Sequence, residues 1–263
     1  MRPRLNRGQN KVVESLKGKS DIKTYISMGC VHVPFHNRKL MKGVLDLMDT
    51  YNFAGIIIGG DFLDMASLSE YEKGKINHTW VKLDEEYGEA NKLLDEFDKR
   101  ISGEKVFLFG NHENRYFRWL ADVNNNKYGD LINPIHSLNL EKRGYTVYSD
   151  YKNDKHKLGT LYILHGEFYN IHVAKKTLDT WRRNILFYHT HRMQVYREGE
   201  FCAYNGGCLA DLSSPAFNYA PMSTKIKWAN AFNLIHLDGK KHYVDTINCY
   251  DNSFVYAGVK YGG

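Results

Sequence analysis

Five short segments hold the residues whose types and spacing suit them to chemistry. They are Gly29-Cys30-Val31-His32, Gly59-Gly60-Asp61-Phe62-Leu63-Asp64, Gly110-Asn111-His112-Glu113, His165-Gly166 and His189-Thr190-His191-Arg192. Five of the twelve histidines fall in them, beside carboxylate and amide oxygens. Imidazole nitrogen mixed with hard oxygen suits manganese, iron or zinc, not calcium or magnesium alone. Each segment follows an apolar run, and an open α/β sheet binds its ligands at the carboxyl ends of neighbouring strands.

The runs that must position these segments read as strands over Lys23–Met28, Gly55–Gly59, Lys105–Phe109, Thr160–Leu164 and Ile185–Tyr188. Helical spacing of apolar residues predicts helices over Leu40–Tyr51, Asn77–Ile101 and Leu178–Asn184. Beyond residue 200 the texture turns to antiparallel strands near Phe232–Leu237, Tyr243–Cys249 and Ser253–Val259, with a turn at Asp238-Gly239. Val123–Lys127 reads as a surface loop. Strand and helix in alternation, then a strand-rich tail, predict one α/β layered domain over 21–263 behind a basic arm over 1–20.

Composition narrows the function. The 263 residues are 43% hydrophobic and 25% charged, the balance of a soluble globular chain. No apolar run approaches the roughly 18 residues that a membrane span needs, and the basic start lacks the apolar stretch of a secretory signal. The four cysteines form no C-x-x-C pair, so a reducing, cytoplasmic setting is expected. Of the net charge of +6, residues 1–20 carry +5, from six basic side chains and Glu14. The body is nearly neutral, which excludes a generally basic nucleic-acid clamp.

In order and spacing the segments resemble the calcineurin-like metallophosphoesterases, whose pattern is D-x-H, GD-x-x-D, GNH-D/E, a lone His and GH-x-H. Four of the five blocks match across residues 30–191, and the GNHEN and HTHR forms are similar to bacteriophage and bacterial members. The resemblance implies a four-layer α/β/β/α sandwich of two mixed sheets flanked by helices, with the tail strands completing the second sheet. It also implies two divalent metal ions (Mn, Fe, Zn or Ni). His32 and His191 would bind the first, Asp61 would bridge both, and Asn111, His165 and His189 would bind the second. His112 would sit beside the pair, donating a hydrogen bond to the phosphoryl oxygen or a proton to the leaving group, so that Asp61, Asn111 and His112 are the catalytic set. Asp64 reads as an outer acceptor for a ligand histidine or as a strand-end cap.

Several positions carry two readings. Cys30 stands where the family has its first Asp, either as a small buried residue in a degraded first metal site or as a thiolate ligand favouring zinc or iron. His36 is a loop or outer histidine, or a replacement ligand. Tyr188 stands where the family has Gly, which implies a different loop or a side chain turned outward. Arg115 is a clamp for a substrate phosphate or a solvated arginine at a helix start. Arg192 reads as structural. Lys175, Lys176, Arg182 and Arg183 are a solvated face or a rail for a phosphodiester. Tyr116 and Trp119 are core material or a stacking surface for a base. Cys202 and Cys208 read as core cysteines.

The resemblance implies a metal-dependent phosphoesterase hydrolysing a phosphate mono- or diester, of nucleic acid or nucleotide first, by attack of hydroxide bridging the metals. The rivals are a catalytically weakened nucleic-acid-binding protein on the same scaffold and a lipid-headgroup pyrophosphatase whose basic N-terminus touches an anionic membrane surface. Deletion of residues 1–18 is expected to weaken turnover of macromolecular substrates and to leave that of a small phosphodiester intact. Steady-state kinetics on both classes checks this, and loss of both contradicts it.

Overall fold

Three consecutive isoleucines set the layering. Successive side chains of a strand point to opposite faces, and Ile56, Ile57 and Ile58 are all fully buried. Ile56 and Ile58 join one apolar core and Ile57 another, so their strand is covered on both faces, as in a parallel sheet. The computed structural model describes residues 21–70 and 81–263. It places this strand, β2 (Gly55–Gly59), between β1 (Lys23–Met28) and β3 (Glu104–Leu108), with β4 (Tyr145–Tyr148) beyond, all parallel. A second sheet holds β5 (His156–Leu158), β6 (Leu161–Ile163), β7 (Asn184–Phe187), β8 (Met193–Glu198) and β9 (Phe201–Gly206) in the order β5-β6-β7-β9-β8.

The helices are α1 (Arg38–Thr50), α2 (Leu83–Asp98), α3 (Asn114–Leu120), α4 (Pro134–Ser137), α5 (Val173–Trp181) and α6 (Met222–Lys225). The Asn37 side chain accepts from the Leu40 amide and starts α1, a cap of about 1 kcal/mol. Leu40, Val44 and Leu47 of α1 and Tyr87, Leu94 and Phe97 of α2 pack on the first sheet. Val173, Ala174 and Leu178 of α5 pack on Ile185, Phe187 and Ala203 of the second. Between the sheets, Ile57, Val106 and Ile235 meet Leu161, Ile163 and Leu186. The order is helix, sheet, sheet, helix, the four layers expected.

Several expectations are corrected. The tail divides between the sheets: β8 and β9 join the second, but β10 (Ala231–Asp238) pairs antiparallel with β1 and β11 (Lys241–Asn248) pairs with β10, extending the first. Phe232 and Leu234 thereby reach the helix-side core while Ile235 reaches the intersheet core. The run Ser253–Val259 is a ribbon of two strands, β12 (Ser253–Tyr256) and β13 (Val259–Gly262), because Ala257 and Gly258 both take left-handed φ values (48° and 76°) and turn the chain back. The third helix begins at Val173 and ends at Trp181, since its buried face is Val173, Ala174, Thr177 and Leu178; Asn184 already belongs to β7. The second helix starts at Leu83 with Asp84, Glu85 and Glu86 in its first turn, where negative charge suits the helix dipole. The arm over 1–20 and the first residues of the expected 77–101 helix lie outside the described residues. The hairpin loop is Gly239-Lys240, one residue later than expected, with Asp238 paired to Lys241. All four cysteines are buried free thiols, and among the described residues no helix is long and apolar enough to cross a membrane.

Tyr188 turns inward, which excludes the outward side chain and leaves the other reading, a different loop. Its ring is fully buried between the sheets, and its hydroxyl meets Ser27 Oγ at 2.6 Å and accepts from Asn233 Nδ2 at 3.3 Å. The slot exists because three neighbours are glycine: an added Cβ would lie 2.4 Å from the ring at Gly29, 2.1 Å at Gly59 and 2.6 Å at Gly206. The backbone of Tyr188 meanwhile donates to the His165 carbonyl (2.9 Å), which ties two of the chemical segments together. Replacing Tyr188 by Gly is expected to cost about 3–5 kcal/mol from the cavity left behind. Tyr188→Phe is expected to cost about 1 kcal/mol from the lost hydroxyl contacts. Urea unfolding checks both, and a parental midpoint for Tyr188→Gly contradicts the slot.

Candidate active site

The five chemical segments leave the carboxyl ends of β1, β2 and β3 in one sheet and of β6 and β7 in the other, and they meet where those ends adjoin. Their backbones are unusual. Cys30, His32, Asp61, His189 and His191 all have left-handed φ values, of 49°, 54°, 50°, 75° and 57°. Such a conformation costs a non-glycine residue roughly 1–2 kcal/mol, and strain of this kind clusters where function fixes geometry. Close approach is also built in: a Cβ on Gly110 would lie 2.1 Å from Asp61 Oδ1. The buried Glu113 carboxylate gathers the loops by accepting from the amides of Asp61 (2.9 Å), Leu63 (2.8 Å) and Gly110 (2.8 Å). Burial and the charge of Asp61 push the Glu113 carboxyl up to about 7.

Around His165 the donor chemistry converges. Its Nδ1 faces the Gly59 carbonyl at 3.1 Å, and since a carbonyl only accepts, Nδ1 carries the proton. Its Nε2 then faces Asn111 Oδ1 at 3.0 Å, His189 Nδ1 at 3.1 Å and Asp61 Oδ2 at 3.2 Å. A single proton there satisfies one of these three groups, whereas a cation satisfies all of them. Burial opposes a charge on His165, but Asp61 outweighs it and raises the pKa. His189 is pushed down to about 3 by burial and by His165, which leaves its ring neutral.

A second group shares Asp61. His32 Nδ1 faces the Asp64 carboxylate at 3.0 Å, and His32 Nε2 faces His191 Nε2 at 2.9 Å and Asp61 Oδ2 at 4.0 Å. Burial alone would raise Asp64, yet hydrogen bonds from His112 and His32 hold it well below the usual carboxylate range. Asp64 is therefore ionised and accepts a hydrogen bond from the Nδ1–H of His32, which leaves the lone pair on Nε2. Burial pushes both His32 and His191 down, so neither competes as a cation. Asp61 Oδ1 accepts from the His112 amide at 2.9 Å, which leaves Oδ2 to face both groups. Cys30 Sγ has its ligand atom within 4.8 Å of those of His32 and His191, and likewise of Asp61 and His165, and it accepts from the His189 amide at 3.2 Å. Among the described residues the buried Nε2 of His189 and Nδ1 of His191 have no hydrogen-bond partner. The histidine nitrogens, Asp61, Asn111 and Cys30 gathered here fit one or two divalent cations.

His112 lies beside both groups, its Nε2 4.0 Å from Asp61 Oδ2. Its Nδ1 donates to the Asp64 carbonyl at 2.7 Å, and Arg115 Nη2 lies 3.3 Å from its Nε2. Arg115 also donates to the Asp64 carbonyl through Nη1 (2.7 Å), which fixes its guanidinium at the rim. A cleft of about 590 Å³ opens above, lined by Asn111, His112, Arg115, His189, His191 and Arg192 among others.

Other positions lie apart. His36 lines a different pocket with Arg38, Asp211 and Ser214, and its ring is pushed down to about 4 by burial and Arg38. None of Lys175, Lys176, Arg182 and Arg183 lines the cleft; Lys175 pairs with Asp179 at 2.9 Å and Arg182 with Glu198 at 3.3 Å. Tyr116 is buried, with its hydroxyl on the Gly129 carbonyl at 3.2 Å, and Trp119 does not line the cleft. The aromatic walls are instead Tyr169, Tyr219 and Trp228. They come from irregular connections whose sequence carries no periodic signal. Glu113 was visible as the last letter of its segment, but its role as a clamp was not.

No family model matches the chain, and no curated protein matches it at a significant level. Solved structures do match. Vacuolar protein sorting 29 from Cryptosporidium parvum aligns over 92% of this chain and 99% of its own, with TM-score 0.51 and 12% identity. Zinc-complexed Vps29 from Entamoeba histolytica aligns over 88% and 96%, with TM-score 0.48 and 11% identity. YfcE, a phosphoesterase from E. coli, aligns over 86% and 100%, with TM-score 0.38 and 12% identity. The likeness is one of fold: the chain shares the layered α/β/β/α sandwich of vacuolar protein sorting 29 from Cryptosporidium parvum.

Histidines whose folded pKa is depressed bind protons more readily once unfolded. Their stabilisation is complete above the ordinary histidine value of about 6.5 and is lost as pH falls toward the folded value, about 3 for His189. Glu113 and His165, whose folded pKa values are raised, act in the opposite sense over this range, so the histidine contribution is read as a difference: the change in melting temperature from pH 7.5 to pH 5 is expected to be more favourable in cation-free His189→Asn than in the parent chain. At pH 7.5, zinc or manganese at about a hundred times its Kd should add about 2.7 kcal/mol, and Asp61→Ala should abolish that gain. Thermal melts check both, and a metal-independent melting temperature contradicts the assignment.

Proposed function

We propose that this chain is a phosphoesterase that uses two divalent cations to hydrolyse a phosphate mono- or diester of a nucleotide or nucleic acid. The observation that carries the reading is Asp61 Oδ2, which faces His165 Nε2 at 3.2 Å and His32 Nε2 at 4.0 Å and so belongs to two groups of ligand atoms at once. His32, His191 and Cys30 would hold one cation, His165, His189 and Asn111 the other, with Asp61 between them. Cations bound there supply an activated water and charge neutralisation at phosphorus.

The chain's own residues do the rest. Arg115, fixed at the rim by the Asp64 carbonyl, is placed to pair with phosphate oxygens. His112, with Nδ1 committed to that same carbonyl, presents Nε2 to the cleft and can pass a proton to the departing oxygen. Asn111 is a neutral oxygen ligand, so it adds no charge to a site that must accept an anion. Water attacks phosphorus, the bond from phosphorus to the ester oxygen breaks, and that oxygen takes a proton.

Cys30 favours a weaker rival, a binding protein that keeps the scaffold but has a degraded first site. Burial and Asp61 raise its thiol well above the usual value, so it is neutral until a cation displaces the proton. Turnover of an aryl phosphodiester with added manganese separates the two readings. The phosphoesterase reading expects activity that falls about 10²–10⁴-fold in His112→Ala and is lost in Asp61→Ala. No turnover, with tight and salt-sensitive nucleic-acid binding, supports the rival. For Cys30, cobalt-loaded protein should show a sulfur-to-metal absorption band that Cys30→Ser lacks; identical spectra remove Cys30 from the ligand set.

A further inference from the structure

Aromatic rings close both ends of the ligand row. At one end the Tyr169 ring lies 4.4 Å from that of His189, which lies 5.0 Å from His165. At the other the Trp228 ring lies 4.5 Å from that of His191, which lies 4.9 Å from His32. Asp61 stands between His165 and His32. Both rings line the cleft, and Tyr169 is 71% exposed. Tyr219, 53% exposed, lines the Trp228 side, where Phe217 backs it with ring centres 6.4 Å apart and backs Trp228 at 5.8 Å.

The backbone holds these rings in place. The Arg192 guanidinium donates to the Asn170 carbonyl at 3.0 Å, pinning the loop that carries Tyr169 to the His189–Arg192 segment. The Ala229 amide donates to the His191 carbonyl at 2.7 Å, pinning Trp228 to its histidine. A phosphoryl group seated over Asp61 would have a flat surface on either side and cations Arg115 and Arg192 at the rim. A monoester would use only one of the two surfaces.

We propose, on the reading of the preceding section, that the substrate is a phosphodiester joining two nucleosides, one base stacked against Tyr169 and the other against Trp228 and Tyr219. Base–aromatic stacking tolerates any base, because every base has a π-face, so the preference is for the diester unit and not for a sequence. The bases must be unstacked from a complementary strand to reach both rings, which excludes a closed duplex. Hydrolysis adds the oxygen of water to phosphorus and breaks the bond to one nucleoside oxygen, which leaves with a proton. The products are one nucleoside hydroxyl end and one phosphate monoester.

The test uses full-length protein with manganese and four substrates: a dinucleoside monophosphate, a nucleoside methyl phosphodiester, a single-stranded oligonucleotide and its duplex. Expected is a kcat/KM for the dinucleoside unit about tenfold or more above the methyl ester, and a fall in that ratio of about tenfold in Tyr169→Ala and in Trp228→Ala, with Tyr169→Phe retaining it. Faster cleavage of the oligonucleotide than of the dinucleotide identifies a nucleic-acid strand as the source, and the reverse identifies a small dinucleotide; both support the inference. Equal rates on dinucleotide and methyl ester, or preference for the duplex, overturn it while leaving a phosphoesterase in place. No turnover of any of the four diesters overturns the inference, and no turnover of a nucleoside monophosphate either overturns the phosphoesterase reading itself.

Discussion

One crowded carboxylate oxygen governs this molecule. Asp61 Oδ2 is buried among nitrogen ligands from both sheets, and around it Asn111 Oδ1, His189 Nδ1 and His191 Nε2 present lone pairs that protons alone do not satisfy. Buried polar atoms without partners are costly; among the described residues His189 Nε2 and His191 Nδ1 are two such atoms, and five residues around this point also hold strained left-handed backbones. A chain that only needed to fold would not gather these costs in one place. A chain that binds divalent cations has a return for each of them.

Much of the remaining structure holds that point together. Glu113 binds the amides of two loops with one carboxylate. Asp64 orients His32 with its side chain and His112 with its carbonyl, so Nε2 of His32 faces His191 and Asp61 while Nε2 of His112 faces Asp61 and Arg115. Tyr188 fills the space between the sheets beneath the site and fixes their separation through Gly29, Gly59 and Gly206. Site and core are one construction.

The sequence showed part of this and hid the rest for physical reasons. Lys23–Met28 and Gly55–Gly59 were legible to the residue, since apolar β-branched runs bounded by glycine are local signals. The clustering of His32, Asp61, Asn111, His112, His165, His189 and His191 was legible through their positions at strand ends. The direction of Tyr188 was not, because it depends on three glycines from three other segments. Nor was the sheet that β10 and β11 join, since a period of two marks a strand without naming its partner. Tyr169 and Trp228 gave no signal, lying in connections where position is set by backbone contacts such as Ala229 to His191. Residues that touch only through the fold are legible only in the fold.

The central claim is that these lone pairs serve two cations that share Asp61. Anomalous X-ray diffraction from crystals grown with zinc or manganese tests it most directly. The account predicts two anomalous peaks about 3.5–4 Å apart, one among His32, His191 and Cys30 and one among His165, His189 and Asn111, with Asp61 between them. A single peak, or peaks away from Asp61, would contradict it.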